Sequence, residues 1–268
     1  MKKTGKRIFA GSFFLAALMG ISLSAGAAAY EDDYVSFEYD EEADGMILSV
    51  DMGGARYYQY IVDPAYNNDQ SAAIYINDYS DEYVEALRNP EDTEEVQYVV
   101  MGDIIYMRSL TDTDRMGRRN VYVGENKYAY CEGWYDSTDS DRGALIEDFC
   151  NSASVNFENA DQMEAGYEAS ENYTIIFSRH MLSSEAADFV TMISEGCHSY
   201  LDGGSDQDTA LSEVNEIFEA ALEYIQNEET PYFADGLAYK LLTNARQALE
   251  NENTESLSLL LTEIDKLN

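Results

Sequence analysis

The segment after the predicted helix 184–201 has the best spacing of potential metal ligands in the chain. Read as a calcium-binding loop of about twelve residues, it places acids at the first, fifth, seventh and twelfth positions. These acids are Asp202, Asp206, Asp208 and Glu213. Gly204 and Gln207 stand where the pattern has an oxygen ligand and the turn glycine. The end of one helix and the cap of the next explain the same residues, so Ca²⁺ is the weaker of two interpretations.

A second acidic loop lies between a predicted strand and a predicted helix. Its carboxylates, with one in the following helix, are Asp136, Asp139, Asp141 and Glu147. A hard cation could bind here, but a solvated loop with a helix cap is the simpler interpretation. Asp112 and Asp114 form a weaker pair of the same kind. Because the chain has 52 acidic residues, no single pair is informative, and a secreted carboxylate-dependent hydrolase resembling a glycosidase stays open as an alternative.

Cys197 and His198 suggest a nucleophile and its base, but neighbours on a helix point about 100° apart. A zinc site formed with His180 requires two segments to pack together, and a buried cysteine beside a surface histidine is the simpler interpretation. The chain has 2 His. It contains no Gly-x-Ser-x-Gly, His-Glu-x-x-His or phosphate-binding glycine loop. Because these motifs are absent, the sequence gives no support to a hydrolase or nucleotide-binding enzyme that depends on them, and we expect no cofactor other than calcium.

Aromatic residues are the other potential source of function, because the chain has 22 Tyr and 10 Phe. Tyrosine provides contact area at low cost in conformational entropy, so an exposed group on a strand could bind a partner. The candidate binding surface consists of Tyr57, Tyr58, Tyr60 and Trp134. Packing of these side chains on the faces of a sheet is the alternative.

The net charge of −36 excludes one class of partner. Binding to the phosphate backbone of nucleic acids requires Lys and Arg side chains that displace counterions, so we expect no nucleic-acid partner. The 45% of hydrophobic residues argues against an acidic disordered chain. The acidity is typical of a protein that remains soluble outside the cell.

Residues 1–29 have the pattern of a secretory signal peptide. A positive start with Lys2, Lys3, Lys6 and Arg7 precedes the apolar residues 8–23, and three alanines at 27–29 offer a cleavage site before Tyr30. We therefore expect secretion and no stable membrane insertion after cleavage. An uncleaved membrane anchor is the alternative, but the apolar run is short for a spanning helix.

Cysteine usage leaves the redox state open. Cys131, Cys150 and Cys197 follow the predicted signal peptide. One pair could form a disulfide in a secreted protein, and Cys131 on a strand could contact Cys150 on the next helix. Buried free thiols are the favoured state, because the spacing alone does not establish the Cα separation that a disulfide needs.

The first structural region is predicted at 30–158. A hairpin of strands 120–123 and 127–135 turns at Gly124–Asn126, and a helix at 142–150 and a strand at 154–157 follow. A short helix is predicted after Ser80, ending at Asn89-Pro90. The remaining predicted strands are 34–39, 46–52, 56–62, 71–77, 96–101 and 103–109. The pattern is typical of an antiparallel sheet with short helices.

The second region, 159–268, has helical spacing of apolar residues. The predicted helices are 161–181, 184–201, 209–226, one that begins at Thr230-Pro231, and one that begins at 253 or 254. Residues 173–177 could instead form a strand. Short connections make successive helices neighbours, so we expect an all-helical bundle that touches the first region. The fold class is therefore α+β, with an antiparallel sheet followed by a helical bundle.

Three pieces of the first region carry a resemblance to a known family. They are the aromatic segment 34–40, the strand pair around Gly102, and the strand, acidic loop, helix and serine block 128–155. Together they resemble the PsbP/Mog1-type α/β fold, although Asp40-Glu41-Glu42 stands where the family often has Pro and Trp. The resemblance implies binding or assembly and supplies no catalytic residues. We therefore expect a non-enzymatic protein that binds an extracellular protein or a cell-wall glycan.

Overall fold

The computed structural model describes residues 27–62, 70–164, 172–179, 182–227 and 233–267. Within these ranges the chain forms two antiparallel sheets, and its longest helices lie in the C-terminal half. This confirms the predicted mixed α+β class. None of the helices in these ranges is long and apolar enough to cross a membrane.

The strands divide into a small and a large sheet. The small sheet has the order β1-β2-β10. Its strands are β1 (Ala27–Glu31), β2 (Val35–Asp40) and β10 (Ser154–Val155). The large sheet has the order β11-β3-β4-β5-β9-β8-β7-β6. Its strands are β3 (Gly45–Asp51), β4 (Arg56–Val62), β5 (Ser71–Asp78), β6 (Val96–Met101), β7 (Ile104–Ser109), β8 (Arg115–Val123), β9 (Lys127–Asp136) and β11 (Asn172–Arg179).

Helices lie against both faces of the large sheet. They are α1 (Asp81–Arg88), α2 (Ser140–Ser152), α3 (Phe157–Ala160), α4 (Ser184–Leu201), α5 (Gln207–Asn227), α6 (Phe233–Glu250) and α7 (Thr254–Ile264). A 3-10 turn, Asp265–Leu267, follows α7. The predicted strand 154–157 is correct only at its start, because α3 begins at Phe157.

The two faces of the sheet contribute to different hydrophobic cores. Ile47 of β3 packs with Phe149 of α2, whereas its neighbour Leu48 packs with α4–α7. Side chains alternate between the faces of a strand, so consecutive residues must enter different cores. The C-terminal helices therefore share a core with the sheet and touch the first region, as expected.

Asn172–Arg179 form β11 and pair with β3, so the predicted helix 161–181 is wrong there and the alternative of a strand at 173–177 is correct. The segment is rich in β-branched and aromatic residues, which suit a half-buried strand. The predicted boundary between 158 and 159 therefore does not separate the sheet from the helices. Instead, a strand from the second region completes the edge of the first region's sheet.

The outer edge of β11 is partly covered by side chains from α7 and from the 3-10 turn that follows it. Glu263 accepts a hydrogen bond from the Ile175 N–H at 2.6 Å, and Lys266 donates to the Ile175 carbonyl at 2.9 Å. An edge strand with unpaired backbone groups invites pairing with other chains. Here the Glu263–Lys266 ion pair forms hydrogen bonds with both the outward-facing N–H and the carbonyl of Ile175.

Asp161 holds the turn between β8 and β9. Its carboxylate accepts hydrogen bonds from the backbone N–H groups of Glu125, Asn126 and Lys127, each at 2.9 Å. Burial alone would raise the pKa of this carboxyl, but these N–H donors and Lys127 outweigh it and lower the pKa. The ionised form therefore stabilises the turn.

Asp161→Asn is expected to lower the free energy of unfolding at pH 7 by about 1 kcal/mol, since the site is near solvent. Because folding lowers the pKa of Asp161, its contribution is complete above the ordinary Asp pKa of about 3.9 and is lost as the pH falls through the lower folded value. Urea unfolding at pH 7 and pH 3 should therefore show a difference from wild type that shrinks in acid. Asp103→Asn, at the exposed turn between β6 and β7, is the control. An equal deficit for Asp161→Asn at both pH values would contradict the prediction.

Candidate functional site

The predicted calcium loop forms a connection between two helices. Asp202 follows the last residue of α4, and Gly203 adopts a φ of +72°, in the left-handed region that favours glycine. Asp206 accepts a hydrogen bond from the Thr209 N–H at 2.8 Å and so caps the start of α5. Asp208 and Glu213 are exposed on α5. Across the ranges that the structure describes, no group of three or more His, Cys, Asp or Glu side chains is placed to hold a metal ion.

Carboxylates of the second acidic loop also form hydrogen bonds with nearby residues. Asp139 caps α2 by accepting from the Arg142 N–H at 3.1 Å, and it pairs with the Arg142 side chain at 2.9 Å. Asp136 accepts from the N–H and the hydroxyl of Thr138, and these bonds lower the pKa of Asp136. Glu147 points elsewhere and bonds to Arg118. These contacts fit the simpler interpretation of a solvated loop with a helix cap.

Cys197 and His198 have different surroundings. Cys197 is fully buried in the core formed with α4–α7, and this burial raises the pKa of its thiol to about 11. His198 is near solvent, with its Nε2 at 3.0 Å from Asp265 Oδ2. Asp265 also accepts from the Ser194 hydroxyl at 2.8 Å. His180 lies outside the described residues. The buried cysteine beside a surface histidine is thus what the structure shows.

Two of the four predicted binding aromatics do not lie on a surface, because Tyr58 and Tyr60 are both 0% exposed. Their position on β4 turns them toward the α2 face of the sheet. There the Tyr58 hydroxyl donates to Asp32 at 2.5 Å, and the Tyr60 ring lies 5.4 Å from that of Phe149. The prediction of a binding surface is therefore wrong for these two residues.

Tyr57 and Trp134 lie on the opposite face of the sheet and are half-buried. Tyr57 begins a row of stacked rings across three neighbouring strands, with Tyr57 and Tyr75 5.8 Å apart and Tyr75 and Tyr130 4.7 Å apart. The Trp134 indole N–H donates to Glu132 at 2.9 Å. Cross-strand aromatic pairs of this kind stabilise a sheet. Stabilisation of the sheet accounts for these contacts, and a binding role for Tyr57 and Trp134 stays a prediction.

The strand pair β6–β7 carries a feature that sequence reasoning missed. Val99, Val100 and Met101 are 52%, 50% and 63% exposed. Among the described residues they form the single run of consecutive large exposed hydrophobics. The sequence predicted the strands 96–101 and 103–109 but not their place at the end of the sheet. Exposure follows from that place, because β6 has a strand neighbour only on its β7 side in the described sheet.

Half of the outer edge of β6 is occupied by its own preceding loop. Thr93 bonds to the N–H and the carbonyl of Val96, and Asp92 accepts from the Tyr98 N–H at 2.8 Å. Backbone groups alternate in direction along a strand, so the N–H and carbonyl of Val100 also point away from β7. Within the described ranges no group bonds to them. The edge therefore presents an open donor and acceptor beside exposed apolar side chains.

The open edge has charged side chains of both signs around it. β6 contains no charged residue, and Arg108 is exposed opposite Gln97 on the neighbouring strand β7. The exposed acids Glu94 and Glu95 precede β6, and Asp103 follows it. The arginines of β8 do not offset these acids, because Arg118 and Arg119 form ion pairs with Glu147 and Glu132.

Comparisons with solved structures find a likeness to part of this chain. No protein-family model and no curated protein sequence matches this chain. The solution structure of cyanobacterial PsbP (CyanoP) from Synechocystis sp. PCC 6803 is similar over 55% of this chain and 100% of that chain. The two share 11% sequence identity, and the TM-score is 0.31. We draw no conclusion about function from a likeness of this size.

Proposed function

We propose that this chain is an exported, non-enzymatic binding protein that takes up an extended segment of another extracellular protein along the open half of β6. The observation that carries the proposal is the coincidence of the outward-facing backbone of Val100 with exposed Val99 and Met101. An added strand supplies main-chain hydrogen bonds, and its alternate side chains cover apolar surface. The motifs in 34–40 and 128–155 support assigning the first region to the PsbP/Mog1-type fold.

The chemistry of the edge favours a polypeptide over a glycan. The backbone of an added peptide strand has its N–H and carbonyl groups at the spacing needed to bond to the carbonyl and N–H of Val100. Its side chains also cover the apolar residues on both faces of β6. Because Asp92 and Thr93 occupy the first half of the edge, the partner segment spans about four residues, from Tyr98 to the turn at Gly102. The segment should be apolar, because the exposed side chains that it covers are Val99, Val100 and Met101. Two copies of a chain with charge −36 repel each other, so we favour a different protein as the partner.

Peptide display tests the proposed edge. Heptapeptides selected for binding to the protein comprising residues 30–268 should be apolar. They should bind the Val100→Pro variant about tenfold more weakly than wild type. Proline removes the outward N–H, which the ladder with β7 does not use. Val100→Thr keeps the backbone and the strand preference and should bind as wild type.

A second variant separates loss of binding from loss of folding. Met101→Lys keeps every backbone group but places a charge on the open edge, and it should also weaken binding. The amide of Val100 should exchange more slowly with solvent when a peptide is bound. Peptides that bind equally to wild type and all variants, or a selection that enriches no peptide, would rule out this edge as the binding site. Sedimentation that detects dimers lost in Val100→Pro would assign the edge to a second copy instead.

Export is supported by the charge and apolar pattern of residues 1–29. If cleavage occurs before Tyr30, the mature chain keeps only Tyr30 and Glu31 of β1. Tyr30 remains anchored, because its ring lies 5.0 Å from that of Phe37 and its hydroxyl donates to Asp32 at 3.1 Å. Mass spectrometry of the protein recovered from the medium of an expressing bacterium should give Tyr30 as the first residue. Retention of the full chain in the cell fraction would refute the proposed export.

A further inference from the structure

Two thiols from different elements meet inside the α2 core. Cys131 lies on β9 and Cys150 on α2, both are 0% exposed, and their Sγ atoms are 3.2 Å apart. A disulfide has an S–S bond of about 2.05 Å, so the two atoms need to approach by roughly 1 Å. The third cysteine, Cys197, belongs to the separate core that contains α4–α7.

A glycine brings the two elements this close together. Gly133 lies on β9 and faces α2, where a Cβ would be 3.2 Å from Cys150 Sγ and 2.4 Å from Ile146 Cγ2. The absence of a side chain at this position thus lets α2 lie directly on the strand. The short Sγ–Sγ distance follows from the packing of α2 as a whole.

We propose that Cys131 and Cys150 form a disulfide in the exported protein, which ties α2 to the centre of the large sheet, and that Cys197 remains a thiol. This disulfide rests on the proposed export only because export brings the chain into contact with an oxidant. The oxidant is the disulfide of a thiol–disulfide oxidoreductase or a small disulfide such as oxidised glutathione. Either can accept the electrons of two cysteines.

The reaction is two successive thiol–disulfide exchanges. The thiolate of one cysteine attacks the oxidant's disulfide, forms a mixed disulfide and releases one thiol. The thiolate of the other cysteine then attacks the cysteine sulfur of that mixed disulfide, which forms the Cys131–Cys150 bond and releases the second thiol. The two protein thiols lose two protons and two electrons, and the oxidant becomes two thiols. Because both sulfurs are fully buried in the folded chain, the exchanges take place before α2 closes on β9.

The cross-link can be tested by refolding residues 30–268 with oxidised and reduced glutathione. After denaturation and alkylation, the product should carry one labelled cysteine in place of three, with a mass about 2 Da lower before labelling. Cys197→Ala should give no labelled cysteine, and peptide mapping should join 131 to 150. The oxidised form should melt roughly 5–10 °C above the reduced form. Cys150→Ala should show no difference between the two conditions.

Three labelled cysteines after oxidative refolding, or a bond that includes Cys197, would overturn the proposal. The test uses purified protein in vitro, so its result does not depend on secretion. If the cross-link forms but the chain is retained in the cell, the proposed export fails and the proposed chemistry of this pair stands.

Discussion

Replacing Gly133 with alanine is expected to lower the free energy of unfolding by about 3 kcal/mol. The new Cβ would lie 2.4 Å from Ile146 Cγ2, a methyl group on the branched Cβ of a buried residue that a rotamer change cannot easily move away. It would also lie 3.2 Å from Ala72 Cβ and from Cys150 Sγ. The helix α2 must therefore shift away from β9, which loosens the core around Phe149. Urea unfolding at neutral pH measures the loss.

Two further variants make this prediction specific. Gly236→Ala is the matched control, because a Cβ there meets nothing within 4 Å and alanine favours a helix over glycine by about 1 kcal/mol. It should therefore stabilise the protein. In the background of Ile146→Ala, which removes the obstructing methyl, Gly133→Ala should cost much less than in wild type. An equal cost in both backgrounds would show that the steric account is wrong.

Replacing Arg118 with methionine is expected to cost about 3 kcal/mol. Its side chain is 2% exposed and joins β8 to α2 through Glu147 at 2.5 Å and Asn151 at 2.8 Å, with a further bond to Asn120 at 3.0 Å. Removing the guanidinium leaves Glu147 without its charge partner and the amide oxygens without their donor. We set the cost at the low end of the range for buried pairs, because the Glu147 side chain is 25% exposed.

A double-mutant cycle separates the ion pair from packing. Arg118→Met combined with Glu147→Met should cost less than the sum of the two single changes, since the second change removes the uncompensated charge. Arg142→Met is the surface control. Its pair with Asp139 is about one-third exposed on each side, and the change should cost less than about 1 kcal/mol. Additive costs for Arg118 and Glu147 would show that the two side chains do not act together.

The local period of apolar residues was enough to predict many elements of this chain. The strands at Arg56–Val62 and Val96–Met101 and the helix Ser184–Leu201 have the predicted bounds. In each of them the spacing of apolar residues and the flanking turn or cap residues agree. The error at Asn172–Arg179 arose where a short apolar segment fits either period, and pairing with the distant strand β3 decided the outcome.

The candidate sites depended far more on tertiary structure. The alternation on β4 showed that Tyr57 and Tyr58 face opposite ways, but only the position of α2 decided that Tyr58 is the buried one. The strand β6 could be predicted from its residues, whereas its place at the end of the sheet could not. The same holds for the two thiols, because the approach of Cys150 to Cys131 depends on α2 packing against Gly133.

The amino-acid sequence by itself determined the α+β class, most of the strands and helices, and the acidic charge, because these depend on composition and on residues close together along the chain. Only the tertiary structure decided which faces are covered, which strand edge stays open, and which cysteines meet. Those features depend on contacts between segments far apart in sequence, and no local pattern of residues encodes them.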